Sequence, residues 1–342
     1  MAPVVVNILG MGNPLLDISS SVDPSMITKY NLKANDAILT EEEAIFEDMK
    51  KLPGIEYIAG GSTQNTIRVS QWILGSEGST CYMGCIGKDE SGDILRKKVS
   101  EAGVEGIYHV HDSIPTGKCA VLITGMDRSL VTKLDAANHF SVSHLEKPEH
   151  WKKVEDAKVV YSAGFFITVS PDSMMKVGEF VGKDASKTYA LNLSAPFICS
   201  FFKEPLDKVI RHADIIFCNE SEAEAYAEAS KWDTKDIPTI AKKISALPKS
   251  GKPGRLTIVT QGKLPVVVSK ACGETKTFDI TALKAEDMVD TNGAGDAFAG
   301  GFLAQYSLGK PLDVCVKCGI WAASVIIQRS GCTYPDKMEF TS

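Results

Sequence analysis

Short apolar runs rich in β-branched residues alternate along this chain with segments of helical periodicity, and that alternation constrains the fold more than any other feature. The runs fall at Val4–Leu9, Cys81–Ile86, Lys158–Ala163, Tyr189–Leu193, Ala213–Cys218 and Leu256–Thr260. Apolar residues spaced three and four apart follow in Gln64–Leu74, Ser91–Ala102, Pro171–Val181, Glu220–Ala229 and Ile237–Leu247. Strands separated by crossover helices predict an α/β fold, with a mostly parallel central sheet flanked by helices. Helix starts are expected at a Thr40/Glu43 capping box, at Ser170 with Pro171 in the first helical position, and at Ser91, whose helix Gly103 closes. Two stretches break the alternation. Cys119–Thr124 and Ser129–Leu134 read as a hairpin turning over residues 125–128, and Pro14–Gly60 carries extended pieces with one clear helix. These predict a small β-rich lid (residues 14–62 and 115–137) beside a large domain (1–13, 63–114 and 138–342).

A chain of 342 residues can hold one large α/β domain with a smaller appendage, or two ordinary domains. Its net charge of −6 repels phosphate backbones and speaks against broad nucleic-acid binding. No window reaches the length of a membrane span, and Met1–Leu9, lacking any basic residue, reads as a first strand rather than a signal peptide. Nine scattered cysteines fit reduced thiols and a cytosolic address, with a nuclear fraction left open. Cys315 and Cys318, a lone C-x-x-C in an apolar helical pattern, are expected to be buried thiols rather than a zinc or redox site.

The strongest local signal is Asp290-Thr291-Asn292-Gly293-Ala294-Gly295-Asp296, running directly into the helical pattern Ala297–Leu308. Small residues before a helix leave its first N–H groups open to a ligand, and the dipole there favours anions. A carboxylate at that place is expected to stay ionised and to accept a hydroxyl proton beside a phosphate. The competing reading is that Asp296 only caps the helix. The run lacks the Walker pattern G-x-x-x-x-G-K-[ST]. Gly60-Gly61-Ser62-Thr63-Gln64-Asn65 opens another helix, where Ser62 and Asn65 offer hydrogen bonds to a hydroxyl-rich ligand or merely cap a turn. Gly10-Met11-Gly12 resembles a dinucleotide fingerprint, but the third glycine is missing and Pro14 intrudes.

Together with Gly12–Asp17, Ala163–Phe166, Thr168–Pro171, Asn192–Phe197, Asn219–Ala223 and Thr260–Gly262, these segments resemble the ribokinase-like carbohydrate and nucleoside kinases over nearly the whole chain and in the family's order. The detail is most similar to members acting on adenosine. The resemblance implies transfer of the ATP γ-phosphate to the ribose 5′-hydroxyl of adenosine, with Asp296 as base and Gly293, Ala294 and Gly295 as the anion hole. It implies that Asp17, with Asn13, Gly61, Ser62, Asn65 and Asn292, holds the ribose. Phe166 would stack on the purine in an apolar slot of Leu15, Leu39, Cys119, Leu130, Leu134 and Phe197. Arg128, placed at the hairpin turn, would reach the transferring phosphate. Asn192, Asn219, Thr260, Gln261 and Gly262 would flank ATP, and Asn219 with Glu222 would organise Mg2+ through water. A monomer is implied, with small-molecule partners. Ala37, Asp135 and Ile320 depart from the family's pattern near the two bases, which leaves N6-substituted adenosines within reach. Alternatives are a kinase of the same fold for another nucleoside or a sugar, and a nucleoside-binding protein without catalysis.

Overall fold

The computed structural model describes residues 6–33, 37–125, 127–281 and 283–341. Val4, Val5 and Met126, which belong to the expected first strand and hairpin turn, lie outside the described residues. The strands are β1 (Val6–Met11), β2 (Leu15–Ser21), β3 (Ala37–Leu39), β4 (Glu56–Gly60), β5 (Ser79–Gly87), β6 (Glu105–His111) and β7 (Lys118–Thr124). They continue as β8 (Asp127–Lys133), β9 (Val159–Ala163), β10 (Thr188–Asn192), β11 (Ile215–Asn219), β12 (Leu256–Gln261), β13 (Leu264–Lys270) and β14 (Thr275–Phe278). Nine form one sheet in the order β14-β13-β12-β11-β10-β9-β1-β5-β6, and five form a second in the order β3-β8-β7-β2-β4. From β6 through β12 the large sheet is parallel; β13 and β14 add an antiparallel edge.

Alternate strand residues face opposite sides, so each side of the large sheet is apolar and needs a helical cover. Val160, Leu191, Ile216 and Val259 face the layer built from Pro171–Val181, Glu220–Ala229 and Ile237–Ser245. Tyr161, Ala190, Phe217 and Ile258 face the layer of Ser62–Leu74, Ala294–Ser307 and Leu312–Ile327. The Ala294–Ser307 helix is buried on nearly all sides, as its continuous apolar composition requires. The small sheet has its own core of Ile18, Ile45, Phe46, Met49, Ala120, Leu122 and Val131.

Local details depart from expectation in instructive ways. The Thr40/Glu43 capping box does not form: Thr40 accepts from the Glu42 amide, while Glu43 binds Lys118 and Lys133 at 3.0 and 2.7 Å. Charge-assisted bonds outcompete a neutral backbone donor. Asp89, not Ser91, caps the next helix, accepting from the Gly92 amide at 2.8 Å. Ser170 holds the N-cap position, but its hydroxyl pairs with Ser173. Between Pro14 and Gly60 there are two short helices, Pro24–Lys29 and Ala44–Met49.

The second strand of the hairpin begins two residues earlier than expected, at Asp127 rather than Ser129. Thr124 pairs with Asp127 and Ile123 with Arg128, so Arg128 lies inside β8 and is buried rather than exposed at a turn. Cys315 and Cys318 are buried in the Leu312–Ile327 helix, and burial pushes both thiols up to about 12, so neither is a thiolate at neutral pH. Among the described residues no helix is long and apolar enough to cross a membrane.

Candidate active site

The chain leaves β1 in one direction toward β5 and β6 and later returns to β9 on its other side, so strand order reverses between β1 and β9. A crevice outside the carboxyl ends of parallel strands at such a reversal is where open α/β sheets bind ligands. Asn192, Asn219 and Gln261 end β10, β11 and β12, and Phe165 follows β9. A cavity of about 340 Å³ opens there, lined by Ser62, Phe165, Asn192, Ser194, Asn219, Glu222, Thr260, Thr291, Asn292, Gly293, Gly295 and Asp296, among others.

Gly293 is the N-cap of the Ala294–Ser307 helix with φ at 78°, a left-handed conformation that favours glycine. No side chain caps this terminus. Asp296 therefore does not serve as the cap: its carboxylate accepts the Ser62 hydroxyl at 2.6 Å and the Asn65 amide at 3.1 Å. This corrects two expectations. Ser62 and Asn65 spend donors on Asp296 rather than keeping them for a ligand. Burial, partly offset by these two bonds, raises the Asp296 pKa to about 6, so desolvation outweighs the dipole that was expected to hold it low.

A second carboxylate, Asp17, lies against the main chain of Gly60. A Cβ on Gly60 would fall on the Asp17 carboxylate, and one on Gly61 (φ 92°) would strike the Asn13 carbonyl. The paired glycines are thus the space in which Asp17 and Asn13 sit. Burial raises Asp17 to about 7; Arg68 lowers it, while Asp296 and Asp290 raise it. Arg68 is itself buried and donates to the Ala59 carbonyl at 2.7 Å. Asp290 accepts the Asn292 amide on one oxygen and the Gly331 amide on the other, each at 2.9 Å, and the second oxygen forms an ion pair with Arg128 Nε at 3.1 Å.

With Asp17 raised from 3.8 to about 7, the folded protein holds this proton more tightly than the unfolded chain does. The associated stability is complete below pH 4 and is lost as pH rises toward 7. Asp17→Asn, which stays neutral, is expected to melt progressively higher relative to the parent as pH rises across that window. A melting-temperature difference that does not change with pH would contradict this.

A family model described as "pfkB family carbohydrate kinase" matches residues 25–338. The chain belongs to that family. It is 49% identical over 336 residues to adenosine kinase 2 of Arabidopsis thaliana, covering 97% of each protein. It superposes on the crystal structure of Anopheles gambiae adenosine kinase in complex with P1,P4-di(adenosine-5) tetraphosphate with a TM-score of 0.88 and 43% identity, covering 96% of this chain and 98% of that one. Adenosine kinase from Schistosoma mansoni in complex with adenosine and AMP is 38% identical with a TM-score of 0.87, covering 96% and 97%.

A pfkB-family kinase uses ATP with a divalent metal. Asn219 and Glu222 form a closed capping box: Glu222 accepts the Asn219 amide N–H and Nδ2, each at 2.9 Å, and returns its own N–H to Asn219 Oδ1 at 2.8 Å. Glu222 and Asn219 line the cavity as hard oxygen donors already engaged in the box, so the pair fits a hard cation held through water. Asn192 Oδ1 accepts the amide N–H of Ser194, a residue at φ 70°. Thr260 lines the cavity, but Gln261 donates its amide to Pro265 in its own hairpin at 2.6 Å, and Gly262 is the turn of that hairpin. The two-residue turn between β12 and β13 captures Gln261 locally, which corrects its expected approach to ATP.

The apolar slot expected around Phe166 is closed in this structure. Phe166 has no exposed surface and packs edge-on against Phe140, 5.4 Å between centroids. Its neighbour Phe165 lines the cavity instead and pairs with Phe197, while its carbonyl accepts from Asn13. Leu15 and Leu134 meet around Gly117, and Cys119 sits beside Asp17 in the sheet register. Leu130 is half-buried on β8, and Leu39 is 66% exposed at the edge strand. Phe166→Ala is expected to cost about 3–5 kcal/mol of stability as a core truncation. Chemical denaturation showing a loss below 1 kcal/mol would return Phe166 to an open slot. Sequence reading missed Phe165, Ser194, Arg68 and Asp290 as site components. Asp290 stood inside the strongest motif and was the most findable of them.

Proposed function

We propose that this chain transfers the γ-phosphoryl group of ATP to the 5′-hydroxyl of adenosine, giving AMP and ADP, as in purine salvage. The observation that carries the reading is Asp296 at an uncapped helix N-terminus, its carboxylate held by Ser62 and Asn65 in the cavity wall. Asp296 takes the proton from the attacking hydroxyl. The N–H groups of Gly293, Gly295 and Asp296 hold the charge that grows on phosphate, the Ala294 N–H already donating to the Thr291 carbonyl, and Arg128 adds a cation from the lid. Asn219 and Glu222 would hold Mg2+ through water, and the ion would supply further neutralisation of the ATP phosphates.

The acceptor side is matched to a ligand rich in hydroxyl donors. Asn13 Oδ1 and Asn65 Oδ1 are buried without a hydrogen-bond partner among the described residues, and Asp17 lies beside Asn13. Buried acceptors left open favour incoming donors strongly. Phe165, which lines the cavity and pairs with Phe197, offers the base an aromatic face there. The relatives named for adenosine, and the solved one holding adenosine and AMP, support the same substrate.

The test is ADP release from Mg-ATP over a panel of nucleosides, N6-substituted adenosines and sugars. Turnover is expected on adenosine; preference for a bare sugar would overturn the proposal. Asp17→Asn is expected to penalise adenosine more than its analogue lacking the 2′- and 3′-hydroxyls, which isolates the ribose contact. Equal penalties would assign Asp17 to the fold. Nine free cysteines, eight of them buried, support the cytosol as the compartment. The protein is proposed to act as a monomer, which light scattering at assay concentration checks.

A further inference from the structure

Arg128 belongs to the small sheet and Asp290 to the loop that leads into the catalytic helix, yet the two form a buried ion pair with side chains 7% and 2% exposed. The Asp290 carboxylate joins three separate stretches of chain. Its Oδ1 accepts the Asn292 amide inside the loop, and its Oδ2 accepts the Gly331 amide of the C-terminal segment and stands 3.1 Å from Arg128 Nε in the ion pair. Its own main chain is bolted to the end of the last long helix, the Val289 and Asp290 amides both donating to the Ile327 carbonyl at 2.8 and 3.0 Å. A carboxylate so tied to the core moves little, whereas Arg128 rides on a sheet with its own hydrophobic core.

We infer that Asp290 is a positioning residue for catalysis: it draws the lid's arginine to the mouth of the anion loop, two residues from the cavity-lining Asn292. The arginine is thereby seated beside the phosphate site before phosphate arrives, and Asp290 sets where the lid rests. A buried carboxylate and guanidinium hold each other strongly, because neither finds water as an alternative partner. This rests on the proposed role of Arg128 in phosphoryl transfer and adds that the role depends on Asp290.

The test is a cycle of kcat measurements on the full-length parent, Asp290→Asn, Arg128→Ala and the double variant, each checked for folding by its melting curve. Asparagine keeps an oxygen for the Asn292 amide, so the loop turn is retained. Asp290→Asn is expected to lower kcat about 10- to 100-fold, the scale of a misplaced catalytic group. In the Arg128→Ala background the same change is expected to alter kcat by less than about twofold, because nothing remains to position. Equal losses in both backgrounds, or no loss in the parent, would overturn the inference alone. An Arg128→Ala variant with normal turnover would overturn the reading of Arg128 and this inference with it. Should Asp290→Asn not fold, Asp290→Glu, which keeps the charge and moves it by one methylene, is run through the same cycle with the same expected outcomes.

Discussion

Asp296→Asn is expected to lower kcat by at least about 100- to 10,000-fold, the range of general-base catalysis, while leaving the fold intact. The side chain keeps its shape, and the Ser62 hydroxyl can turn to accept where it now donates. The helix loses nothing, since its N-cap is Gly293 and no side chain caps it. What disappears is the charge that accepts the hydroxyl proton. Because burial raises this carboxylate from 3.8 to about 6, its contribution to stability is present at low pH and is lost as pH rises through 6. The asparagine variant is therefore expected to melt as high as the parent at pH 8, or higher. In the parent, kcat/KM should fall about tenfold per pH unit below pH 6, as the base takes up its proton. An asparagine variant that keeps more than about a tenth of parental turnover, outside the general-base range, would remove Asp296 from the chemistry.

Arg128→Ala is expected to have the second largest effect, a fall in kcat on the order of 1,000-fold with little change in KM for either substrate. Arginines that meet a transferring phosphoryl group act mainly in the transition state, so the loss belongs in kcat. A second cost arises in the folded state. Removing the guanidinium strands the buried Asp290 carboxylate, which commonly costs about 3–5 kcal/mol. The two effects separate experimentally: turnover at saturating substrate reads the first, and chemical denaturation without substrate reads the second. A variant that binds poorly yet turns over normally at saturation would make Arg128 a docking residue.

What the sequence determined by itself was set by local periodicity and local chemistry. The strand–helix alternation specified a mostly parallel sheet with two helical layers, because a strand apolar on both faces has no other stable cover. The Pro171–Val181 and Glu220–Ala229 helices were legible to the residue, since proline at the first helical position and apolar spacing of three and four are properties of a single turn. The Asp290–Asp296 run marked an open helix start for the same reason.

Tertiary structure alone decided the rest. Ser62 and Asn65 reach Asp296 across 234 and 231 residues of sequence, and Arg128 reaches Asp290 from a different sheet. The sign of the Asp296 shift reversed because the helix dipole is a local property, whereas desolvation is set by everything packed around the group. The second hairpin strand starts at Asp127 rather than Ser129, which carries Arg128 from a solvated tip into a strand, where its burial is set by a distant partner, Asp290. Phe165 and Phe166 sit side by side in a short 3-10 turn, where no periodicity marks which ring faces the cavity. Packing against Phe140 and Phe197 chose between them.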